Sequence, residues 1–417
     1  MEKGGRKGAR RFCVRVLAAA ASGGFVSEME RIGVDPVGVA LMAPKQTHYN
    51  LKVEGLSAAQ ANIVKQEMLA VGGEAAVSKG VVSCAVERTD ALLSGTKRQM
   101  SLFLRKLRSQ PYGLGELESE IRAVLDDHGR VEFAVPLRSG TLELRRRTAV
   151  MGILNVTPDS FYDGGRYADV DAAVERAVAM AEEGADIIDI GAESSRPGAR
   201  PVDPAEQKRR LVPVLSALAR RADFTVPLSV DTTSAEVAGA ALQEGVQIVN
   251  DISALRADEA MAPLCARSGA AVVLMHMRGT PATMQLNTAY GDIVADIYRF
   301  FVERVAFAVS SGIEPKRLIL DPGIGFGKDV DGNLDLLGRL GEFRSLGLPL
   351  LVGLSRKSFI GKVMAAAGAG GGGDPLLTGT VAAHAACILA GASILRVHDV
   401  AEARAVAAVA DALKARL

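Results

Sequence analysis

From about residue 148 onward the chain repeats one unit: a short β-branched or aliphatic run, a polar or glycine-rich corner, and an Ala-rich amphipathic segment. The runs are TAVMGILN (148–155), ADIIDIG (185–191), VPLSVD (226–231), QIVND (247–251), AVVLMH (271–276), RLILD (317–321), PLLVG (349–353) and SILRV (393–397). Strands that are apolar throughout belong in a parallel sheet covered by helices, because a sheet with one wet face would alternate. Eight such units in about 270 residues predict an α/β fold, a (β/α)8 or TIM barrel over 148–417.

Helix boundaries agree with this reading. In RPVDPAEQKRRL, Asp203 suits the N-cap, Pro204 the first helical position, and Glu206 the place from which a capping-box carboxylate reaches back. Gly184, Gly245, Gly269, Gly312 and Gly391 each fall just before a strand, where a left-handed C-cap is expected. The uncharged run PLLTGTVAAHAACILAGASIL (375–395) is long enough to span a bilayer, yet His384 and the break at Gly391 read as helix, turn and strand.

Residues 1–147 read as a smaller N-terminal α/β (α+β) domain, of split βαβ type. Its expected strands are FCVRVL, VGVALMAP, HYNLKVEG and EAAVSKGVVSCAV; its expected helices are LSAAQANIVKQEMLAVG, KRQMSLFLRKLRS and LGELESEIRAVLDDHG. The basic start, with residues 1–11 expected to be disordered, resembles a signal n-region. Arg15 breaks the apolar stretch after it and Glu28 soon adds a charge, so no cleaved signal is expected. A net charge of +1 gives no general attraction to nucleic acid or membrane, so an anion site has to be built locally. Four separated cysteines, with no CxxC pair, favour a cytoplasmic setting over a disulfide framework or a zinc site.

In such a barrel, chemistry collects where strands end and loops face one mouth. Those positions hold Asn155, Glu193 to Arg196, Asp231, Asn250 with Asp251, His276, Asp321, Lys357, and Arg396 with His398. A strand-end carboxylate such as Asp231 is often only an N-cap; convergence of polar groups from every strand argues for a site. Asp231, Asn250, Asp321 and Lys357 mix donors and acceptors as a flat heterocycle with amide and amino edges requires. Asn155, Arg196, Arg396 and His398 form an electropositive group suited to phosphate. LILDPGIGFGKD (318–329) has neither the P-loop spacing nor a dinucleotide context. Its glycines Gly323, Gly325 and Gly327 read as room for backbone to pass close to a flat ring, which Phe326 would cover.

Taken together, MGILNVTPDSFYDGG, DIIDIGAESSRPGA, LSVDTTSAEVA, IVNDISAL, VLMHMRGTPATMQ, LILDPGIGFGKD, GLSRKSFIG and ILRVHDV resemble the dihydropteroate synthases, over about residues 147–417. The resemblance implies a folate-pathway transferase and sulfonamide target. In that reaction para-aminobenzoate attacks the CH2 carbon of 6-hydroxymethyl-7,8-dihydropterin diphosphate, giving 7,8-dihydropteroate and pyrophosphate. It further implies pterin contacts at Asp231, Asn250, Met275, Asp321, Phe326 and Lys357, and a diphosphate and Mg2+ site at Asn155, Arg396 and His398, with Asn155 on the metal. Ser195, Arg196 and Ser358 would serve the aminobenzoate, Ser358 from a helix start that favours its carboxylate. Ser195 stands where the family usually has Thr, which keeps the hydroxyl and loses a methyl contact. A homodimer is implied as well. Two other readings stay open: a methyltetrahydrofolate:corrinoid methyltransferase, which needs no diphosphate site, and a non-catalytic pterin-binding protein.

Overall fold

Helices and strands alternate along the computed structural model, which describes residues 15, 17, 22–145, 147–156, 166–193, 201–369 and 373–416. Two compact units divide between Arg122 and Ala123, with residues 415–417 grouped with the first.

The first unit begins with α1 (Ser22–Ile32) and α2 (Pro36–Met42). The second of these is a correction, because VGVALMAP reads as a strand by its alternating apolar residues. Asp35 decides the outcome: its carboxylate accepts from the Gly38 N–H, and Pro36 stands at the first helical turn, a helix start that outweighs the alternation. Then come β1 (His48–Ser57), α3 (Ala58–Ala70), β2 (Glu74–Val77), β3 (Arg88–Thr96), α4 (Lys97–Leu107) and α5 (Leu114–His128), which runs across the division. The sheet order is β1-β3-β2, with β3 antiparallel to both neighbours. Strands β1 and β2 therefore run parallel around β3, connected through α3, which is the expected split βαβ arrangement. Ser57 with Gln60 and Thr96 with Gln99 form capping boxes that start α3 and α4 directly from the strands. The expected strand over 74–86 stops at Val77, because turns centred on Gly80 and Cys84 come next. Strand β3 is not among the strands expected from the sequence, and most of FCVRVL lies outside the described residues.

The second unit opens with an unanticipated hairpin of β4 (Phe133–Pro136) and β5 (Thr141–Leu144). Next are β6 (Ala149–Asn155), α6 (Arg166–Glu182), β7 (Ile187–Gly191), α7 (Pro204–Ala219), β8 (Leu228–Asp231), α8 (Ala235–Gln243), β9 (Ile248–Asp251) and α9 (Met261–Ser268). The remaining elements are β10 (Ala271–Met275), α10 (Ile293–Ser310), β11 (Leu318–Asp321), α11 (Val330–Gly338), β12 (Leu351–Val352), α12 (Ser358–Ala366), α13 (Pro375–Ala390), β13 (Ile394–Val397) and α14 (Val400–Lys414). Each barrel strand forms within its expected run. The eight strands are parallel in the order β11-β10-β9-β8-β7-β6-β13-β12, and a bridge from Leu320 to Leu350 brings the two ends of that order together. This is the (β/α)8 barrel.

All five expected C-cap glycines have positive φ, from +67° at Gly269 to +112° at Gly391. At α7, Asp203 caps the Ala205 N–H and Pro204 takes the first position, but Glu206 pairs with Arg209 and Arg210 instead of reaching back. The run 375–395 is α13, the Gly391 cap and the start of β13. Among the described residues no helix is long and apolar enough to cross a membrane.

Two cores flank the barrel wall. Outward residues such as Val150, Ile188, Val230, Val249, Val272, Leu320 and Leu395 pack beneath the helices. Inward residues Met151, Ile187, Ile248, Val273, Ile319, Leu351 and Ile394 form a plug with Val135, Leu137, Leu142 and Leu144 of the hairpin. The interior is thus dry at one end of the strands.

Candidate active site

Side chains alternate along a strand, so the residues two positions beyond the dry plug also point inward. They are Ile153, Asp189, Asn250, Met275, Asp321, Gly353 and Arg396; on β8, Asp231 follows the inward Ser229. One step further lie Asn155 and His398. The same parity that closes the barrel with hydrocarbon thus turns polar at its mouth.

Above this layer opens a cavity of about 1170 Å³, large for a small-molecule site. Asn155, Asp231, Asn250, Met275, Asp321, Phe326, Lys357, Ser358, Arg396 and His398 all line it. Ser195 and Arg196 lie outside the described residues. Glu193 also faces the cavity, with one carboxylate oxygen accepting from Val202 N–H and the other from Gln207.

Arg396 organises the electrostatics. Its Nε donates to Asp189 Oδ2 at 2.6 Å and its Nη2 to Asp231 Oδ2 at 2.7 Å. Burial raises the Asp231 pKa, the Arg396 charge opposes that rise, and the like charge of Asp189 adds to it. Burial pushes Asp321 up to about 6, against a 2.7 Å hydrogen bond from Gly323 N–H and the field of Arg396. Lys357 is brought down to about 8 by burial and then by Arg396. Its ammonium sits 3.9 Å from the Phe326 ring centroid, a cation–π contact inside the cavity. Burial thus shifts the carboxylates up and the ammonium down toward neutral pH, and each charged form gains from the donors and acceptors that a polar ligand supplies.

The cap alternative for Asp231 does not hold, since Ser234 caps α8 through Val237 N–H. Two other strand-end residues, however, turn away from the mouth. Asp251 is sealed and accepts from Ser253 N–H, Ser253 Oγ and Leu255 N–H, which makes it a clip for its own turn. His276 is buried beside Lys328, its Nδ1 3.2 Å from the ammonium, and burial with that charge pushes its pKa down to about 2.

Lys328, which no sequence signal singles out, shapes the glycine loop. Its ammonium donates to the carbonyls of Gly323 and Phe326, each at 2.8 Å, while Asn333 Oδ1 accepts from Gly325 N–H at 2.7 Å. With the His276 carbonyl at 3.5 Å and the His276 Nδ1 at 3.2 Å as well, four acceptors surround three N–H groups and leave the side chain spent on backbone and on His276. The glycines have a structural reason as well, and Gly325 lines the cavity. A Cβ on Gly323 would overlap the His276 carbonyl oxygen, and Gly323, Gly325 and Gly327 all have positive φ. Protein backbone by itself already excludes a side chain at Gly323. Asp189 escapes sequence reasoning too, because it sits inside the apolar run IIDIG; only the inward parity of β7 shows it.

A parallel barrel whose polar mouth encloses paired carboxylates, an amide, a lysine and an arginine is built as a small-molecule enzyme. Residues 151–398, more than half of the chain, match the model of the pterin binding enzyme family. The dihydropteroate synthase of Synechocystis sp. is 45% identical over 281 residues, 67% of this chain and 94% of that protein. The crystal structure of Yersinia pestis dihydropteroate synthase with a sulfonamide drug superposes with a TM-score of 0.62 at 42% identity, covering 68% of this chain and 100% of that one. That of the Xanthomonas albilineans enzyme with 4-aminobenzoic acid gives 0.61 at 42%, over 68% and 99%. The chain therefore belongs to the pterin binding enzyme family, and within it to the dihydropteroate synthases. A probable bifunctional folylpolyglutamate synthase/dihydropteroate synthase of Halobacterium salinarum is 42% identical over 386 residues, 93% of this chain. The chain spans only 45% of that relative's length, and its match takes in residues ahead of the barrel.

Proposed function

We propose that the protein condenses 6-hydroxymethyl-7,8-dihydropterin diphosphate with para-aminobenzoate, giving 7,8-dihydropteroate and pyrophosphate. The observation that carries this is the single cavity shared by acceptors for a flat ring, at Asp231, Asn250 and Asp321, and groups for an anionic tail, at Asn155, Arg396 and His398.

Asp231 and Asp321 accept from N–H edges of the ring, and Lys357 donates to a ring oxygen or nitrogen. Met275 and Phe326 flank its faces. The arylamine lone pair forms the new C–N bond at the CH2 carbon while the C–O bond to the diphosphate breaks. The electron pair leaves with pyrophosphate, so negative charge grows beside Arg396 and His398, which line the cavity, and a preorganised cation there acts chiefly on the transition state. Ser358, the first residue of α12, meets the aminobenzoate carboxylate together with the helix N-terminus. Arg196 and Ser195 serve the aminobenzoate in this reading.

Among the described residues no cluster of three His, Cys, Asp or Glu could hold a metal ion by itself. Mg2+ binds through few protein ligands and the oxygens of a substrate diphosphate. Asn155 is the protein ligand in this reading, and the ion would supply charge compensation for the phosphates when bound. The protein works in the cytoplasm as a homodimer, consistent with free thiols at Cys84, Cys265 and Cys387.

Pyrophosphate release tests the reading. Release from the pterin diphosphate should require para-aminobenzoate, appear with equimolar dihydropteroate, and be inhibited competitively by a sulfonamide. Release that ignores aminobenzoate, or no release at all from folded protein, overturns it.

A further inference from the structure

Asp189 touches no part of the cavity surface, yet it reaches both ends of the site through other residues. Its side chain is 0% exposed, against 13% for Asp231 and 16% for Arg396. One oxygen, Oδ2, accepts from Asn250 Nδ2 at 2.9 Å and from Arg396 Nε at 2.6 Å. The other, Oδ1, has no hydrogen-bond partner among the described residues, and neither does Oγ of Ser229, its register neighbour on β8. A buried carboxylate left short of donors is expensive, and a packed apolar residue there would serve stability better. Its placement asks for a functional reason.

We infer that Asp189 is a positioning residue, holding the Asn250 amide with its carbonyl oxygen toward the pterin and fixing the plane of Arg396 for the departing diphosphate. The inference rests on the function proposed above. An ionised carboxylate only accepts, and of the two amide atoms of Asn250 only Nδ2 donates, so the bond selects one of the two amide orientations. Oδ1 of Asn250 is then the atom presented to a ligand, adding a third acceptor to those of Asp231 and Asp321. For Arg396, one bond at Nε and another at Nη2 to Asp231 fix the guanidinium plane, leaving Nη1 as the edge without a partner among the described residues. A single sealed carboxylate thereby sets which ring edge the site reads and where its cation aims.

The test removes the acceptor and then restores it without its charge. Asp189→Leu keeps roughly the size of the side chain and accepts from neither partner. Asp189→Asn can place its carbonyl oxygen where Oδ2 stands and accept from both Asn250 and Arg396, as that one oxygen does. Calorimetric binding of 6-hydroxymethylpterin, with KM and kcat for the diphosphate, is measured on the full chain for wild type and both variants. Asp189→Leu should weaken pterin binding at least about 10-fold, the loss of a hydrogen bond to a charged group. Asp189→Asn should recover to within about threefold of wild type, a rescue by the acceptor that a general packing role does not produce.

Asp189→Leu binding within twofold of wild type, or Asp189→Asn binding no better than Asp189→Leu, overturns the inference. Should Asp189→Leu not fold, Asp189→Asn decides alone: binding within about threefold of wild type supports the inference and a loss of more than about 10-fold overturns it. Wild-type protein that binds no pterin removes the proposed function itself, and this inference with it, so the two failures are told apart.

Discussion

Arg396 holds two carboxylates with one guanidinium, and its loss exposes both to each other inside a buried layer. Arg396→Ala and Asp231→Ala are each expected to lower kcat/KM at least roughly 100-fold, about 2.7 kcal/mol of transition-state stabilisation. Near-normal kcat/KM in either purified variant contradicts the role given to that residue. Charge states give a second check. Asp321 must be ionised to accept from the ring and titrates at about 6, while Lys357 must be protonated to donate and titrates at about 8. The kcat/KM profile of the free enzyme should rise through about pH 6 and fall above about pH 8. A profile flat from about pH 5 to 9 removes both assignments. The same shift has a stability consequence. Because folding raises the Asp321 pKa, the stability tied to its protonated form is complete below the unfolded value of about 3.9 and is lost as pH rises through the folded value. Asp321→Asn, which cannot ionise, should therefore stabilise the protein by on the order of 2–3 kcal/mol at about pH 8 and by almost nothing near about pH 4, while lowering activity. Denaturant midpoints at the two pH values decide it.

Among elements, the hairpin of β4 and β5 is invisible in the sequence because FAVP and TLEL are too short to stand out beside the barrel runs. Its apolar side chains complete the interior plug, so its loss is felt by the barrel. Leu144→Ala is expected to cost about 2–4 kcal/mol, seen as a lower melting temperature, with kcat/KM unchanged well below the transition because the plug and mouth are separate layers. A variant as stable as wild type would mean that the hairpin does not seal the plug. The strand runs and C-cap glycines are legible because both-face burial and positive φ each leave a strong residue signature. VGVALMAP misleads because its alternation and its Asp-Pro helix start compete, and only the second is a hydrogen bond. Asp189 and Lys328 are illegible for a different reason: burial and direction are tertiary facts, and neither a carboxylate inside IIDIG nor a lysine after glycines announces what it touches.

At the scale of the molecule, the barrel solves two problems with one periodicity. Its inward column is hydrocarbon near the hairpin and polar at the mouth, so a dry plug backs the charged layer that lines the cavity. The front unit is a split βαβ fold with its own capping boxes, and the similarity to Halobacterium salinarum extends into it. The central claim is that distant strands deliver a ring end and a phosphate end to a single opening. A crystal structure of the protein with the pterin diphosphate bound measures that claim most directly. Ring N–H groups are expected within about 3 Å of the Asp231 and Asp321 carboxylates, with phosphate oxygens equally close to Arg396 and His398. A ligand seated elsewhere, or with its phosphates on the Asp321 side and its ring away from Asp231, contradicts the account.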